Sequence, residues 1–259
     1  MDAPPPQFAN YPRPSGPGGP GYPSPFWRPP GVYIEVISDA WRLVTQDLAI
    51  WICTSLVLFV LQLILNFGTN LAVYGSITMV ARSPVFNWGS YWTALGLQLT
   101  GGMLLAVIQP GMMLMAVRKA RGEQIQIGDM FAGYRRFFPV LGTLFLQGLA
   151  IVIGFVFCIV PGIFLAGAFA LAPLIALDQG VDPIEAMTRS YKTVGSDAWL
   201  MFCVLLLAGL IAAVGVCACG IGYLITLPMY IASVGLSYHY LFPPAAPTGP
   251  GYGYTPDVG

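Results

Sequence analysis

The chain has 259 residues, 56% apolar and only 8% charged, against roughly 25% charged in an ordinary soluble domain. A soluble fold of this size needs a charged surface, so most of this chain's solvent is lipid. Its 11 Lys and Arg balance its 11 Asp and Glu, which lacks the basic excess of a nucleic-acid binder.

Residues 1–31 hold eleven prolines and no apolar run. They read as a disordered Pro/Gly-rich tail without a cleavable signal, leaving insertion to the first spanning helix. The tail serves as a tether or as a docking segment for a proline-binding domain. Residues 243–259 repeat this chemistry. Val32 to Asp47 is expected as an amphipathic helix lying in the membrane interface, with Ile34, Ile37, Trp41, Val44 and Leu48 on its apolar face. Glu35, Asp39, Arg42 and Gln46 fall opposite.

The first span is expected from Ala49 to about Phe67, long enough to cross a core of ~30 Å. Gln62, Asn66 and Asn70 give it a polar stripe suited to bonding another helix. Gly68 to Tyr91 reads as an irregular connection whose apolar part, Leu71–Val80, either extends the helix or dips back into the bilayer. The second span, about Ala94 to Val117, is interrupted at Gln109-Pro110-Gly111. A second amphipathic helix is expected at Ile127 to Phe138, within the most basic segment of the chain. The third span covers Pro139 to Val160, and Pro161-Gly162 forms the turn. The fourth, Gly162 to Leu177, makes only about 24 Å of helix, and Pro173 should bend it. Asp182-Pro183-Ile184-Glu185 reads as a helix start, with Asp182 capping, Glu185 completing the capping box and Glu185–Arg189 pairing one turn on. The fifth and sixth spans are about Ala198–Val216 and Ile221–Tyr240.

Ten of the eleven Lys and Arg fall in alternate connections and tails, and only Arg82 lies in the others. The positive-inside rule therefore puts both termini in the cytoplasm. Residues 34–51 pair with 184–201, matching Ile34 with Ile184, Glu35 with Glu185, Val44 with Val194 and Asp47 with Asp197. The middle helix pairs more loosely, Met130 over Ile184 and Phe137 over Tyr191. Three units follow, 32–118, 124–178 and 181–241, inside one membrane domain, 32–242. The expected fold is an all-α integral membrane protein with six transmembrane helices as three hairpins, each preceded by an interfacial amphipathic helix.

Residues 110–138, 159–191 and 220–241, with their Pro-Gly, Ala-Pro and Glu-Ala-x-x-x-Ser pattern (Glu185, Ala186, Ser190), carry a resemblance. Over about 32–242 the chain resembles the bacterial membrane domain attached to some glycerophosphodiester phosphodiesterases and its stand-alone relatives of unknown function. That resemblance implies a six-helix bacterial inner-membrane domain. It does not imply phosphodiesterase activity, because a catalytic barrel needs roughly 250 further residues.

The five cysteines lack zinc spacing and His239 is the single histidine, so no metal or other cofactor is expected. Cys158 with Cys217 or Cys219 could form an outer-face disulfide, apolar free thiols being the alternative. Asp178, Asp182 and Glu185 form the densest acidic group, which capping and solvation account for without catalysis. The structural and interaction candidates are Pro161, Gly162, Pro173, Asp182, Glu185, Arg189, Gln62 and Asn66. Gln62, Gln98, Gln109 and Gln147 could line a neutral path. The expected function is non-enzymatic: organising membrane lipids, membrane proteins or proline-binding partners from the cytoplasmic face. The rival is a transporter or lipid-handling protein for a neutral or amphipathic solute.

Overall fold

The computed structural model describes residues 26, 31–82, 88–217 and 222–242. These are helical, with no strand among them: α1 Val36–Gln46, α2 Leu48–Arg82, α3 Trp88–Ala106, α4 Ile108–Ala120, a 3-10 helix Ile127–Arg136, α5 Phe137–Phe157, α6 Ile159–Ala168, α7 Ala172–Asp178, α8 Pro183–Val194, α9 Ala198–Cys217 and α10 Tyr223–Leu241. Five stretches are long and apolar enough to cross a membrane, within Leu48–Leu71, Tyr91–Ala120, Ile127–Phe157, Ile159–Asp178 and Pro183–Gly215. The expected sixth span forms α10 but is not among them. Apart from Phe26 and Gly31, the two expected tails lie outside the described residues; Phe26 itself is buried in the core.

The reason α10 falls short is also the key to the packing. It sits against α1, α2, α4 and α9, and every residue from Ile231 to Leu241 is buried, including Ser233, Ser237, Tyr238, His239 and Tyr240. Ser233 donates to the Met229 carbonyl at 2.8 Å and Ser237 to the Ser233 carbonyl at 2.9 Å, so both hydroxyls are satisfied within the helix. A Cβ on Gly235 would lie 2.7 Å from the Met113 carbonyl oxygen and 2.8 Å from the Ala116 Cβ. The bare glycine is what lets α10 and α4 approach at small residues, as packed membrane helices do. α5 is the opposite case: its buried residues are Val140, Thr143 and Gly154, while Phe138, Phe145, Leu149, Val152 and Val156 form an exposed apolar stripe.

Several expected boundaries move. α2 continues through Gly68 to Arg82, so of the two alternatives for Leu71–Val80 the extended helix holds and the irregular connection from Gly68 does not, and its 35 residues make about 52 Å of helix. No proline or glycine pair interrupts it until Ser83-Pro84, outside the described residues. The second span breaks at Val107, ahead of Gln109-Pro110-Gly111, because a proline near the start of a helix sacrifices no hydrogen bond. The middle amphipathic helix is a 3-10 helix rather than an α-helix. The turn after the third span is at Cys158, whose backbone is extended, so Pro161 and Gly162 lie in the first turns of α6 rather than in the turn itself. Gly162 approaches Gly154 so closely that a Cβ on Gly154 would lie 2.9 Å from the Gly162 Cα. Pro173 starts α7 instead of bending a continuous span: Phe169–Leu171 separate α6 from α7.

α1 is rotated from its expected orientation. Val36, Ile37, Asp39, Ala40, Leu43 and Val44 are buried, whereas Ile34, Trp41 and Leu48 are exposed. Asp39, expected among the solvated residues, is drawn inward by a hydrogen bond from Tyr240. Burial repeats between the paired segments: Val36, Ala40 and Val44 of α1 match Ala186, Ser190 and Val194 of α8, all buried. Trp51, Thr54 and Leu58 of α2 match Met201, Val204 and Ala208 of α9, again all buried. The looser middle pairing behaves differently, since Met130 is fully buried and its counterpart Ile184 is 70% exposed.

Candidate functional site

Three apolar helices end in polar residues at the same place: α4 in Arg118-Lys119-Ala120 with Arg121 following, α7 in Asp178 with Gln179 following, and α10 in Tyr238-His239-Tyr240-Leu241. Tyr238 Oη donates to Asp178 Oδ2 at 2.7 Å, and Arg121 Nη2 reaches the same oxygen at 3.4 Å. Gln179 Nε2 donates to Tyr238 Oη at 3.3 Å. Arg189 of α8 extends the chain, with Nη1 on Gln179 Oε1 at 2.5 Å and Nη2 on Glu185 Oε1 at 2.5 Å.

Other carboxylates secure other segments. Asp129 of the 3-10 helix pairs with Arg118 at 2.7 Å and accepts the Gln126 backbone N–H at 2.9 Å. Asp47, between α1 and α2, pairs with Lys119. Asp39 accepts from Tyr240 Oη at 2.9 Å, in a buried contact. α1, the 3-10 helix and α7 are thus each tied to α4 or α10 through an acidic side chain. These carboxylates are engaged by cations and hydroxyls of other segments, an arrangement that ties helices together. Arg121 Nε and His239 Nδ1 are buried without a hydrogen-bond partner among the described residues.

The site residues expected from sequence divide unevenly. Asp182 starts α8 with its backbone, but its side chain makes no cap hydrogen bond. The side-chain cap expected of Asp182 is thus absent, while the expected Glu185–Arg189 pair is present, the Arg189 guanidinium holding Glu185 Oε1. The acidic group does not converge either, since Asp178 turns to Arg121 and Tyr238 while Glu185 turns to Arg189. Asn66 and Asn70 donate to the carbonyls of Gln62 and Asn66 at 2.8 and 2.7 Å; these bonds stay within α2 instead of reaching another helix, because a carbonyl one turn back is the nearest acceptor. Pro161, Gly162 and Pro173 shape α6 and α7 away from this network. Cys158 is an exposed free thiol; Cys217 closes α9 and Cys219 lies outside the described residues.

Gln62 and Gln109 do fall on one cavity. With Leu58, Phe59, Gly102 and Tyr223 they line an open lateral cavity of about 590 Å³ between α2, α3, α4 and α10. Arg121, Tyr238 and Asp39 were not among the expected site residues. Their common signal is a polar residue in or beside a terminal turn of a helix.

Fold and site together define an all-helical protein with five stretches of membrane-crossing length and apolarity, and a carboxylate–guanidinium network at one end. No family model, no curated protein and no solved structure matches the chain.

Proposed function

We propose that this is a non-enzymatic multi-pass membrane protein that organises lipids or partner proteins from its cytoplasmic face. In this reading α10 is a sixth span, enclosed by the others. The spans form three hairpins, each entered through an interfacial helix: α1, the 3-10 helix and α8. Both termini are cytoplasmic. The observation carrying the reading is the filled centre: α10 occupies the bundle interior with buried side chains along its second half, while Tyr238 and Tyr240 at its end bond Asp178 and Asp39. Exposed Ile34 just before α1, Trp41 on it and Ile184 and Tyr191 on α8 suit helices lying at a lipid–water boundary. Assignment to a bacterial inner membrane rests on the family resemblance of residues 32–242 alone.

The second reading, a lipid-handling protein, is favoured by the lateral cavity with Gln62 and Gln109 on its wall. Its volume, about 590 Å³, falls within the range of small-molecule pockets. Native mass spectrometry of the full chain released from lipid nanodiscs separates the two. The organising reading expects retained lipid or a stoichiometric partner, and a lipid-free monomer ends it. Solute flux into proteoliposomes that Gln62→Leu abolishes would favour the second. For topology, cysteines replacing Ser83 and Ser24 in a chain otherwise free of cysteine are exposed to an impermeant reagent in intact cells. Labelling only at Ser83→Cys is expected, and the reverse overturns the orientation.

A further inference from the structure

Between α4, the 3-10 helix and α7 lies a cavity of about 190 Å³, its wall formed by Arg118, Arg135, Arg136 and Asp178 with Leu114 and Leu177. The charges there do not cancel. Arg118 is held by Asp129, and Asp178 by Arg121 and Tyr238. Arg136 donates one N–H to the Gly180 carbonyl at 2.9 Å. That contact depends on Gly180, which has φ 70° and whose Cβ would fall on the guanidinium. Arg135 makes neither an ion pair nor a hydrogen bond among the described residues. Two neighbouring guanidiniums thus line the cavity with no ion pair to its one carboxylate, Asp178, and a guanidinium fork suits an oxyanion.

Their position narrows the anion. Arg135 and Arg136 directly precede Phe137, the first residue of α5, so they stand where an apolar helix leaves the lipid for the headgroup layer. Phe138, 81% exposed, begins the stripe that continues through Phe145, Leu149, Val152 and Val156. Free phosphate would satisfy the guanidiniums and leave this stripe untouched; a phospholipid covers both.

We propose that the cavity holds the phosphate of an anionic phospholipid, with Arg135 and Arg136 donating to its oxygens and an acyl chain lying along α5 from Phe138. This rests on the reading of that end as the lipid-contacting cytoplasmic face. Basic recesses at that level attract anionic headgroups.

The test is native mass spectrometry of the full chain from nanodiscs of phosphatidylcholine mixed with phosphatidylglycerol. Wild type retains phosphatidylglycerol preferentially. Arg135→Gln with Arg136→Gln lowers its retention roughly tenfold or more. Arg135→Gln alone, which breaks no ion pair or side-chain hydrogen bond among the described residues and leaves thermal unfolding unchanged, lowers it roughly threefold. Equal retention of the two lipids, or undiminished phosphatidylglycerol in both variants, overturns the site. Release of the lipid by millimolar inorganic phosphate would instead make free phosphate the ligand and overturn the lipid. Lipid that is retained but indifferent to Arg135 and Arg136 removes this site and leaves the organising function standing. A protein emerging with neither lipid nor partner removes that function as well.

Discussion

α5 and α10 are both helices of about twenty residues, yet they invert the usual relation between apolarity and burial. α5 is strongly apolar yet buries only Val140, Thr143 and Gly154, with Phe157 83% accessible. α10 carries two serines, two tyrosines and a histidine in its last nine residues and is buried throughout that part. In water the apolar helix would be driven inward. In lipid no such drive separates them, since an acyl chain receives a phenylalanine as well as a protein interior does, and association depends on close packing and hydrogen bonding. The helix holding glycine, serine and hydrogen-bonding ends therefore takes the centre.

Thermal unfolding in one detergent can break or sharpen this contrast. The largest effect is expected from Gly235→Val: its side chain meets the Met113 carbonyl and Ala116, forcing α10 from α4 at about 3 kcal/mol. An unchanged midpoint would mean α10 is not the packed centre. Asp178→Ala should follow at about 2 kcal/mol, because it leaves Arg121 and Tyr238, both drawn in from different helices, without their shared acceptor. Glu185→Ala removes an exposed pair on α8 with no cap to lose, so about 0.5 kcal/mol is expected, reduced further by salt. A loss several times larger would restore a capping role. Phe157→Ala, on the exposed end of α5, should shift stability by less than about 0.5 kcal/mol despite removing the largest side-chain volume of the four.

Much of the helical layout is legible residue by residue. The apolar runs announce the five long stretches, and Pro183 and Ala198 mark the starts of α8 and α9 as expected. Prolines mislead in a consistent way. Pro110, Pro161 and Pro173 were expected to break or bend helices where they stand, but each lies near the start of a helix whose break precedes it. The register of α1 was not legible, because Ile34, Trp41 and Leu48 form as good an apolar face as Val36, Ala40 and Val44. Lipid accepts one and protein the other, and apolarity alone does not say which. Asp39 could be recognised as an inward residue only with Tyr240 in place beside it.

Composition and the length of the apolar runs by themselves determined that the chain is helical, suited to lipid, and built from short helices leading into long ones. Those properties follow from the local solvation of side chains and the internal hydrogen bonding of each helix. Tertiary structure alone decided that α10 lies in the middle, that Arg121, Asp178 and Tyr238 meet, and that Arg135 and Arg136 share a recess whose one acid, Asp178, is engaged elsewhere. Each of these joins segments distant in the chain through packing and charge neutralisation, which hydropathy along a single helix does not encode.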